Sequence, residues 1–576
     1  LDARALELVE RAGPDAFAPA LELDPEPQIH VAARHVQPVL VHDLDGDGRA
    51  EVLLVGANRL YRNRSAKGAI KLVEEELLPK DVYYSMPGAP FAAVLADVDG
   101  DGVVDLVTAH VAGDINLFSG TSKGGFSTEP RVAARMPVPL DTPVALTAGD
   151  IDSDGDLDLF VGQYKRPYVH GQMPTPYYDA NDGDPAYLLR NDGRGAFTDI
   201  TDEAGLAAKR RRRTWSASLL DLDDDRKLDL IVVSDFSGLD LYKGDGAGHF
   251  TDVTAELVDE RASFGMSHTI GDYNLDGFLD LYVVGMSSTT ARRLEQLGLG
   301  REGHEDIQEM RMKMAYGNRL YDGDARHRLR AGAFAQDVAR TGWSWGSTSF
   351  DFDRDGDLDI YVVNGHISRE TAKDYCTTYW RHDVYTGTSE RDAELERFFL
   401  DEFQTAISEG VSWNGFEHNK LFVTDPARGF VEAGFPLDVA LEDDARATVS
   451  EDLDLDGRPD LLVVLAKARA GKVRGESTDE RLAVLQNQWS SPNKWVGVRL
   501  GGARSPIGAR VTVEVEGAPT QQHRVVTGDS LQSQHAPHKL FGLGPEARVN
   551  AIAVEWADGT TTRLERPALD RYHVMR

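Results

Sequence analysis

A nine-residue acidic motif recurs along the chain and limits what it can fold into. Its clearest copy is Asp97-Val98-Asp99-Gly100-Asp101-Gly102-Val103-Val104-Asp105. Side-chain oxygens stand at positions one, three, five and nine, position seven can add its carbonyl oxygen, and a glycine at position six permits a sharp turn. Oxygen atoms at this spacing can surround one hard cation, for which calcium is the expected ion. The flanking residues have strand patterns and the glutamate of an EF-hand is absent, so the motif predicts a metal-binding β-hairpin.

Seven copies of the motif are present, and we number them loops one to seven. The predicted metal ligands occupy positions one, three, five and nine of each loop: Asp43, Asp45, Asp47 and Glu51; Asp97, Asp99, Asp101 and Asp105; Asp150, Asp152, Asp154 and Asp158; Asp221, Asp223, Asp225 and Asp229; Asp272, Asn274, Asp276 and Asp280; Asp351, Asp353, Asp355 and Asp359; Asp452, Asp454, Asp456 and Asp460. Ordinary acidic turns do not repeat such a spacing, so the sequence predicts up to seven Ca²⁺ ions, one per loop. Loop four departs from the motif, because Arg226 replaces the glycine at position six.

Each loop lies between two apolar strands, and a third and a fourth strand follow it. Four antiparallel strands repeated about every 50 residues are typical of propeller blades. We therefore predict an all-β fold: a seven-bladed β-propeller with Asp-rich calcium loops plus a small C-terminal β domain. The predicted boundaries are a lead-in over 1–28, the propeller over 29–489 and the β domain over 490–576. The seventh repeat has only three recognisable strands, and we expect the N-terminal segment to supply the missing one.

The net charge and the cysteine content limit the cellular locations and the classes of partner that we expect. The net charge of −33 argues against nucleic-acid binding. The single cysteine, Cys376, excludes an intrachain disulfide and is expected to be an inert thiol. Weak calcium sites fill only where free Ca²⁺ is high, outside the cytosol. We therefore expect a secreted, periplasmic or cell-surface bacterial protein, in keeping with Leu1 as first residue, and no apolar run is long enough for a membrane span.

Two sets of residues resemble known families. The Asp loops, with the strands Asp-Leu-Asp-Leu-Phe at 156–160 and Asp-Leu-Asp-Ile-Tyr at 357–361, resemble the FG-GAP/VCBS repeats of integrin-α-type propellers. Residues 495–500, 507–511 and 532–534, with Phe541-Gly542-Leu543-Gly544 and Val554-Glu555-Trp556, resemble an ASPIC/UnbV domain. Together they look like bacterial relatives of the cartilage acidic protein family. That resemblance implies a secreted calcium-binding propeller but no defined reaction.

Long insertions fall between the second and third strands of four repeats, at 164–185, 286–317, 365–418 and 467–481. This connection lies at the end of a repeat opposite the Asp loop, so we expect these insertions to form a canopy over the far mouth of the ring. The insertion at 365–418 contains a helical pattern over 392–407. A merely decorative elaboration is the alternative.

Arginines, aromatic residues and histidines are expected at the same face. The candidates for ligand binding are Arg211, Arg213, Trp215, Trp343, Trp345 and His110, and the candidates for catalysis are His268 and His366. Guanidinium groups and aromatic planes suit anionic or sugar-like ligands. Each group of residues could instead have a purely structural role: the arginines as a solvated loop, the aromatic residues as packing between blades, and the histidines as stabilisers of the fold.

Two functions remain open at this stage. The first is an extracellular binding module for a glycan, another protein or a small anionic ligand, with its ligand face opposite the calcium loops. The second is an enzyme (a lyase, a hydrolase or a metal-dependent enzyme) acting on an anionic or glycan-like substrate at the canopied mouth, with His268 or His366 as base or metal ligand. An enzyme predicts a deep pocket where a histidine meets a carboxylate or a further metal, whereas a binding module predicts a broad surface.

Overall fold

The computed structural model describes residues 17–23, 37–88, 90–165, 178–300, 302–303, 305–381, 392–467, 479–502 and 504–576. Strands dominate these residues, and the helices lie in the connections between strands. The predicted all-β fold class is confirmed. The sequence pattern of residues 1–11 predicts a short amphipathic helix, and these residues lie outside the described part of the chain.

Seven sheets of four or five strands lie before residue 488 in the described part of the chain. In strand order they are sheet 1 (Val39–His42, Glu51–Leu54, Arg59–Asn63, Leu72–Glu76), sheet 2 (Pro90–Ala96, Asp105–His110, Ile115–Phe118, Arg131–Ala134), sheet 3 (Pro143–Gly149, Asp158–Gln163, Tyr187–Asn191, Phe197–Asp199), sheet 4 (Arg213–Leu220, Asp229–Asp235, Gly238–Gly244, Phe250–Asp252), sheet 5 (Gly265–Gly271, Asp280–Gly285, Arg319–Asp322, Arg330–Ala331), sheet 6 (Ser344–Phe350, Asp359–Asn364, Lys420–Asp425, Gly429–Glu432) and sheet 7 (Asp444–Glu451, Asp460–Lys467, Asp479–Asn487, Phe17–Leu23). We interpret each sheet as one blade of the predicted propeller.

The sheets follow one another around a ring. The first strand of each sheet contacts the first strand of the next, and that of sheet 7 contacts that of sheet 1. The N-terminal strand Phe17–Leu23 pairs antiparallel with the third strand of sheet 7, from Phe17 opposite Asn487 to Leu23 opposite Leu482. This part of the predicted lead-in therefore belongs to the last sheet and supplies its fourth strand.

The inner strands are apolar on both faces because each sheet is covered by its two neighbours. In sheet 7 the run from Leu461 to Leu465 is 0–2% exposed throughout. A strand buried on both faces needs a nearly continuous apolar sequence rather than an alternating one. Between sheets 2 and 3, Val94 and Val107 pack with Leu146 and Leu159 in one buried cluster.

The C-terminal domain consists of two further sheets. One contains Lys494–Leu500, Lys539–Gly544 and Arg571–Met575, and the other contains Arg510–Val515, Gln521–Arg524, Val549–Glu555 and Thr561–Glu565. Val496, Val511, Phe541 and Trp556 belong to its buried core. Alternating residues in the sequence predict strands at 495–500, 509–516, 522–527, 551–556 and 560–564, and the structure has a strand at each; Lys539–Gly544 and Arg571–Met575 are additional.

A segment of the C-terminal domain, residues 526–539, runs through the middle of the ring, and we call it the axial segment. Ser533–Gln534 pairs in parallel with Val39–Leu40 of sheet 1. It also forms hydrogen bonds to the innermost strands: Gln534 with the backbone of Leu95, Thr527 with Thr147 and Ser218, His535 with Thr348, and Ser533 with Thr448. The axial segment therefore fills the ring's centre, which nothing in the sequence pattern predicted.

The insertions leave the sheets at the end opposite the Asp loops, as expected, because each joins the second strand of a sheet to the third. They contain the helices Thr289–Gln296, Glu305–Met314, Cys376–Tyr379 and Ala393–Ser408 and a small sheet of Thr371–Asp374 with Val411–Ser412. One buried apolar cluster joins Ala180, Ala291 and Trp380 from three different insertions. The canopy is therefore a packed layer where the structure describes it.

The remaining helices are short: Lys80–Tyr83, Thr254–Leu257 and Ala335–Val338, with 3-10 turns at Val55–Ala57 and Ala207–Lys209. Among the described residues, no helix combines the length and the apolar character that a membrane crossing requires.

Candidate metal loops and aromatic face

All seven loops share one backbone conformation. Positions four and six have positive φ in every copy, for example Gly100 at 75° and Gly102 at 85° in loop two. This places the position-six amide against the first carboxylate, as in the bond of 2.9 Å from the nitrogen of Gly102 to Oδ2 of Asp97. Loop four keeps this conformation even though Arg226 stands at position six with a φ of 68°.

The ninth residue of each loop is the most buried ligand. In loop two, Oδ1 of Asp105 accepts from the amide of Gly120 at 2.8 Å and Oδ2 accepts from the amide of Val98 at 3.0 Å. This carboxylate therefore ties the loop to the third strand of its own sheet. Burial raises the pKa of Asp105 to about 6, of Asp158 to about 7 and of Asp280 to about 8.

The loop carboxylates converge closely enough to share an ion. Ligand oxygens of three residues lie within 4.8 Å of one another in loop two (Asp97, Asp99, Asp101), and similar groups occur in loops one, three, four and six. Several of these oxygens are buried without a hydrogen-bond partner, including Oδ1 of Asp43, Oε1 of Glu51, Oδ1 of Asp99 and Oδ1 of Asp152. A buried anionic oxygen without a donor is costly unless a cation faces it. The donor set, all oxygen and mostly carboxylate, fits a hard divalent cation.

The C-terminal domain covers the loop face of the ring. Tyr572 donates to Oδ2 of Asp452 at 2.8 Å, and the indole of Trp495 packs directly on Gly457. Gln522 donates to the carbonyl of Gly277 at 2.8 Å, and Arg510 lies 2.8 Å from Asp224. The C-terminal domain therefore contacts loops four, five and seven of the ring. In loop seven all four predicted ligands are buried, with exposed fractions of 1–6%.

An aromatic cluster lies at the opposite face, under the canopy. The ring of His366 stacks on Trp343 with centroids 4.5 Å apart and meets the edge of Trp413 at 4.9 Å. Trp345 lies 5.4 Å from His366 and 5.5 Å from Trp215, which packs against Tyr164 at 4.3 Å. The aromatic cluster is defined as these six residues: Tyr164, Trp215, Trp343, Trp345, His366 and Trp413. Three predicted candidates, Trp215, Trp343 and Trp345, thus meet His366 in one place.

Most polar ring atoms of the aromatic cluster are buried without a partner. The indole N–H groups of Trp215, Trp343 and Trp413 and Nδ1 of His366 have no hydrogen-bond partner, whereas the indole of Trp345 donates to the carbonyl of Gly365 at 2.8 Å. Leaving a buried polar group unpaired costs about 1–3 kcal/mol. Trp215 and His366 are half-buried, so the cluster borders the surface.

Charged groups surround the aromatic cluster. The Arg446 guanidinium lies 4.5 Å from the Trp345 ring centroid and donates to the carbonyls of Gly365 and His366. Glu417 accepts from the amide of Trp343 at 2.5 Å, and burial raises its pKa to about 7. Burial, with the nearby Arg446, also holds the pKa of His366 well below its usual value, so that imidazole is neutral at pH 7.

The arginine run 209–213 is paired with acidic residues. Arg213 is 3% exposed and forms two bonds of 3.0 Å with Asp182, while Arg212 is bound to Asp240 and Asp179. Lys209 and Arg210 pair with Asp240 and Asp199. Arg211 is the exposed member and donates to the carbonyl of Gly183 at 3.3 Å.

The other two candidate histidines lie away from the aromatic cluster. His268 sits in the first strand of sheet 5, fully buried, between the hydroxyls of Ser216 at 3.0 Å and Ser218 at 2.9 Å. His110 is fully buried and contacts Thr108 at 2.8 Å. Burial lowers the pKa of each to about 4. Both are held by neutral partners in the described structure.

Comparison with known proteins matches both parts of the chain. An FG-GAP-like repeat model matches residues 43–108, 97–161 and 221–283, and each match spans two Asp loops. An ASPIC and UnbV model matches residues 500–576. The chain carries FG-GAP-like repeats followed by an ASPIC/UnbV domain. It is also similar to cartilage acidic protein 1 of Homo sapiens (22% identity over 551 residues, 90% of this chain and 68% of that protein) and of Mus musculus (25% over 495 residues, 73% and 71%).

Solved structures that resemble the chain do so distantly. They include BBS1N in complex with ARL6DN (TM-score 0.40, 11% identity, 82% of this chain and 97% of that one) and the rhamnogalacturonan lyase YesW (TM-score 0.34, 15% identity, 81% and 75%). The V. cholerae biofilm matrix protein Bap1 matches at a TM-score of 0.30 with 10% identity (97% and 85%).

Sequence reasoning missed three residues at the aromatic face of this FG-GAP-like ring. Tyr164 and Trp413 come from canopy insertions, and Arg446 comes from the first strand of sheet 7. The aromatic content of the insertion at 365–418, with Tyr375, Tyr379, Trp380 and Trp413, was the available signal. It could have indicated a second aromatic source facing Trp343 and Trp345.

Proposed function

We propose that the chain is a secreted binding module whose FG-GAP-like ring is held by calcium and whose ligand site is the aromatic cluster under the canopy. Calcium fits the oxygen-only donor sets of the loops and the buried carboxylate oxygens that lack a donor. Calcium sites of this kind fill where free calcium is high, which favours a location outside the cytosol. The FG-GAP-like repeats support an interaction module rather than a particular reaction.

The unpaired ring nitrogens of the aromatic cluster carry the proposal for the ligand. Three indole N–H groups can only donate, and they lie within one set of touching rings. A ligand with several acceptor oxygens would satisfy them and would stack on the same ring faces. A glycan or a small carboxylate has this chemistry, and Arg446 beside Trp345 favours the anionic members of that class.

A binding role is favoured over an enzymatic one by the surroundings of the two candidate bases. In the described residues, the hydrogen bonds of the His268 side chain go to Ser216 and Ser218, and Nδ1 of His366 is unpaired. Neither imidazole is oriented by a carboxylate, which general-base histidines commonly require. His268 is also fully buried, and its partner Ser218 is bonded to Thr527 of the axial segment.

Binding of neutral and uronic-acid-containing oligosaccharides to the full chain in calcium tests the proposal. Trp215→Phe and Trp413→Phe keep an aromatic ring but remove a donor, so each should weaken binding about tenfold, the effect of losing one hydrogen bond of about 1.4 kcal/mol. Trp489→Phe is the matched control, because Trp489 is buried against Phe352, outside the aromatic cluster. Binding that survives both cluster substitutions would put the ligand elsewhere, and no binding to any probe would reject this ligand class.

A further inference from the structure

Loop four differs from the other loops in what faces its carboxylates. Nζ of Lys243 is in direct contact with Oδ2 of Asp223 and lies 3.1 Å from Oδ2 of Asp225. These two residues occupy positions three and five, which are predicted to be metal ligands. An ammonium group therefore already stands between the oxygens that would hold an ion in this loop.

The position of Lys243 in its sheet can be matched in the other repeats. Lys243 precedes Gly244, whose amide donates to the ninth loop residue Asp229 at 2.9 Å. The matching residues of sheets 2 and 7 are Ser119 and Gln486. Both reach position three of their own loops, at 2.8 Å from Asp99 and 2.8 Å from Asp454, but both are neutral. The contact is thus common to these repeats, and sheet 4 makes it with a cation.

Sheet 3 also has a cationic side chain at the position that matches Lys243, but this side chain does not fill the ion site of its loop. Arg190 is the matching residue there, and its Nε lies 3.4 Å from Asp152 at position three. Its guanidinium also contacts Glu203 at 3.5 Å. Lys243 differs from Arg190 because its single charged atom contacts two ligand positions at once, and an ammonium can donate three hydrogen bonds from one point. In loop one Nη1 of Arg64 also faces positions three and five, but from 3.4 Å to Asp45 and 3.5 Å to Asp47, at the limit of a hydrogen bond.

Other cationic side chains balance the remaining negative charge of loop four. Asp224, at position four, contacts both Arg510 and Arg524 of the C-terminal domain. Lys227 lies 3.6 Å from Asp225. Arg226 turns outward to Glu555 of the C-terminal domain at 2.7 Å. A calcium ion entering this loop would meet like charge at contact distance from two ligand positions, closer than the Arg64 guanidinium stands to the corresponding oxygens of loop one.

We propose that the Lys243 ammonium takes the place of calcium in loop four. This loop is then closed without metal, and its extra carboxylate, Asp224, joins the ring to the C-terminal domain through Arg510 and Arg524. The chain binds at most six calcium ions in its loops, and the contact between the two domains at sheet 4 is independent of calcium.

Native mass spectrometry of the full chain in limiting calcium tests the proposal by counting bound ions. Asp223→Ala should leave the count unchanged, whereas Asp99→Ala in loop two, which removes the matching position-three ligand from a loop without lysine, should lower it by one. Loss of one ion in Asp223→Ala would overturn the proposal.

Substitution of the lysine gives the reciprocal measurement. Lys243→Gln copies the residue found in sheet 7 and should raise the count by one, while Lys243→Arg should not. An unchanged count in a folded Lys243→Gln chain would show that the ammonium does not exclude the ion, and would overturn the proposal too. If Lys243→Gln fails to fold, the comparison of Asp223→Ala with Asp99→Ala decides alone.

Discussion

Removal of calcium is the perturbation to which this chain should respond most strongly. Three carboxylates lie within 4.8 Å of one another in loop two. Two unit charges at that separation repel by about 1 kcal/mol even in a water-like dielectric, so three pairs amount to about 3 kcal/mol per loop. Binding linkage gives a similar size, since an ion present at 100 times its Kd stabilises the folded chain by about 2.7 kcal/mol per site.

Six such loops together are comparable to the whole stability of an ordinary domain. The loss on calcium removal would be on the order of 15 kcal/mol, against a usual total of about 5–15 kcal/mol. With an unfolding entropy of about 2.1 cal/mol/K per residue, that loss lowers Tm by roughly 10–15 °C if the chain unfolds as one unit. We therefore expect a large fall in Tm after exhaustive dialysis against a chelating resin.

The size of the fall should depend on pH. In the ion-free fold, burial raises the pKa of Asp158 to about 7 and of Asp280 to about 8. The ion-free folded chain then holds protons that the unfolded chain has released above pH about 4, so its stability falls as the pH rises towards 8. Calcium keeps the same carboxylates ionised, so the loaded chain lacks this loss. The difference in Tm between loaded and ion-free chain should thus be larger at pH 8 than at pH 6.

Differential scanning fluorimetry of the full chain at both pH values measures these effects. Restoring calcium should recover the original Tm, whereas equal magnesium should not, because magnesium prefers a tight octahedral shell and keeps its waters. An unchanged melting curve in the ion-free chain, or full recovery with magnesium, would contradict the assignment of the loops as structural calcium sites.

Two further substitutions test the aromatic face and the arginine run. Burial raises the pKa of Glu417 to about 7, so the wild-type chain should lose up to about 3 kcal/mol of its free energy of unfolding as the pH rises from about 4.5 to 7. Glu417→Gln removes the titrating group, so its free energy of unfolding in urea should rise relative to wild type over that interval. The exposed control Glu409→Gln should show no such relative change. Equal pH profiles for wild type and Glu417→Gln would refute this. Asp182→Ala removes two hydrogen bonds from the buried Arg213 guanidinium, which keeps the nearby Asp235 carboxyl, and should cost about 1–3 kcal/mol, whereas Arg211→Ala at the exposed neighbour should change stability by less than about 0.5 kcal/mol. Equal effects of Asp182→Ala and Arg211→Ala would refute the structural role of the Arg213–Asp182 pair.

The parts of the molecule that repeat were the parts that the sequence predicted well. The Asp spacing of Asp97–Asp105 encodes a local hairpin, and local spacing survives in any tertiary context. The apolar strands on either side follow for the same reason, as does the helix Ala393–Ser408, which an amphipathic pattern indicates within one residue. Because the pattern is repeated seven times, a copy that departs from it, such as loop four with Arg226, can still be recognised.

Contacts between distant segments could not be predicted in the same way. Arg213 pairs with Asp182 and Arg212 with Asp240, and nothing in the run 209–213 shows that such partners face it. His268 was expected near a mouth of the ring, but the first strand of sheet 5 carries it into the buried centre. The axial segment is a polar stretch, which is typical of a surface loop. Its hydrogen bonds to the inner strands of the ring, such as those of Gln534 with the backbone of Leu95, depend on the tertiary arrangement alone.

The way the two ends of the chain enter the ring bears on how it can be made. Phe17–Leu23 pairs with residues about 460 positions later, and Ser533–Gln534 pairs with Val39–Leu40 near the start. A ribosome releases the early sheets long before either partner exists, so the N-terminal strand and the first strand of sheet 1 must wait unpaired until residues 479–534 are synthesised. Because an open edge invites pairing with other chains, the nascent protein is most exposed to aggregation before those residues emerge.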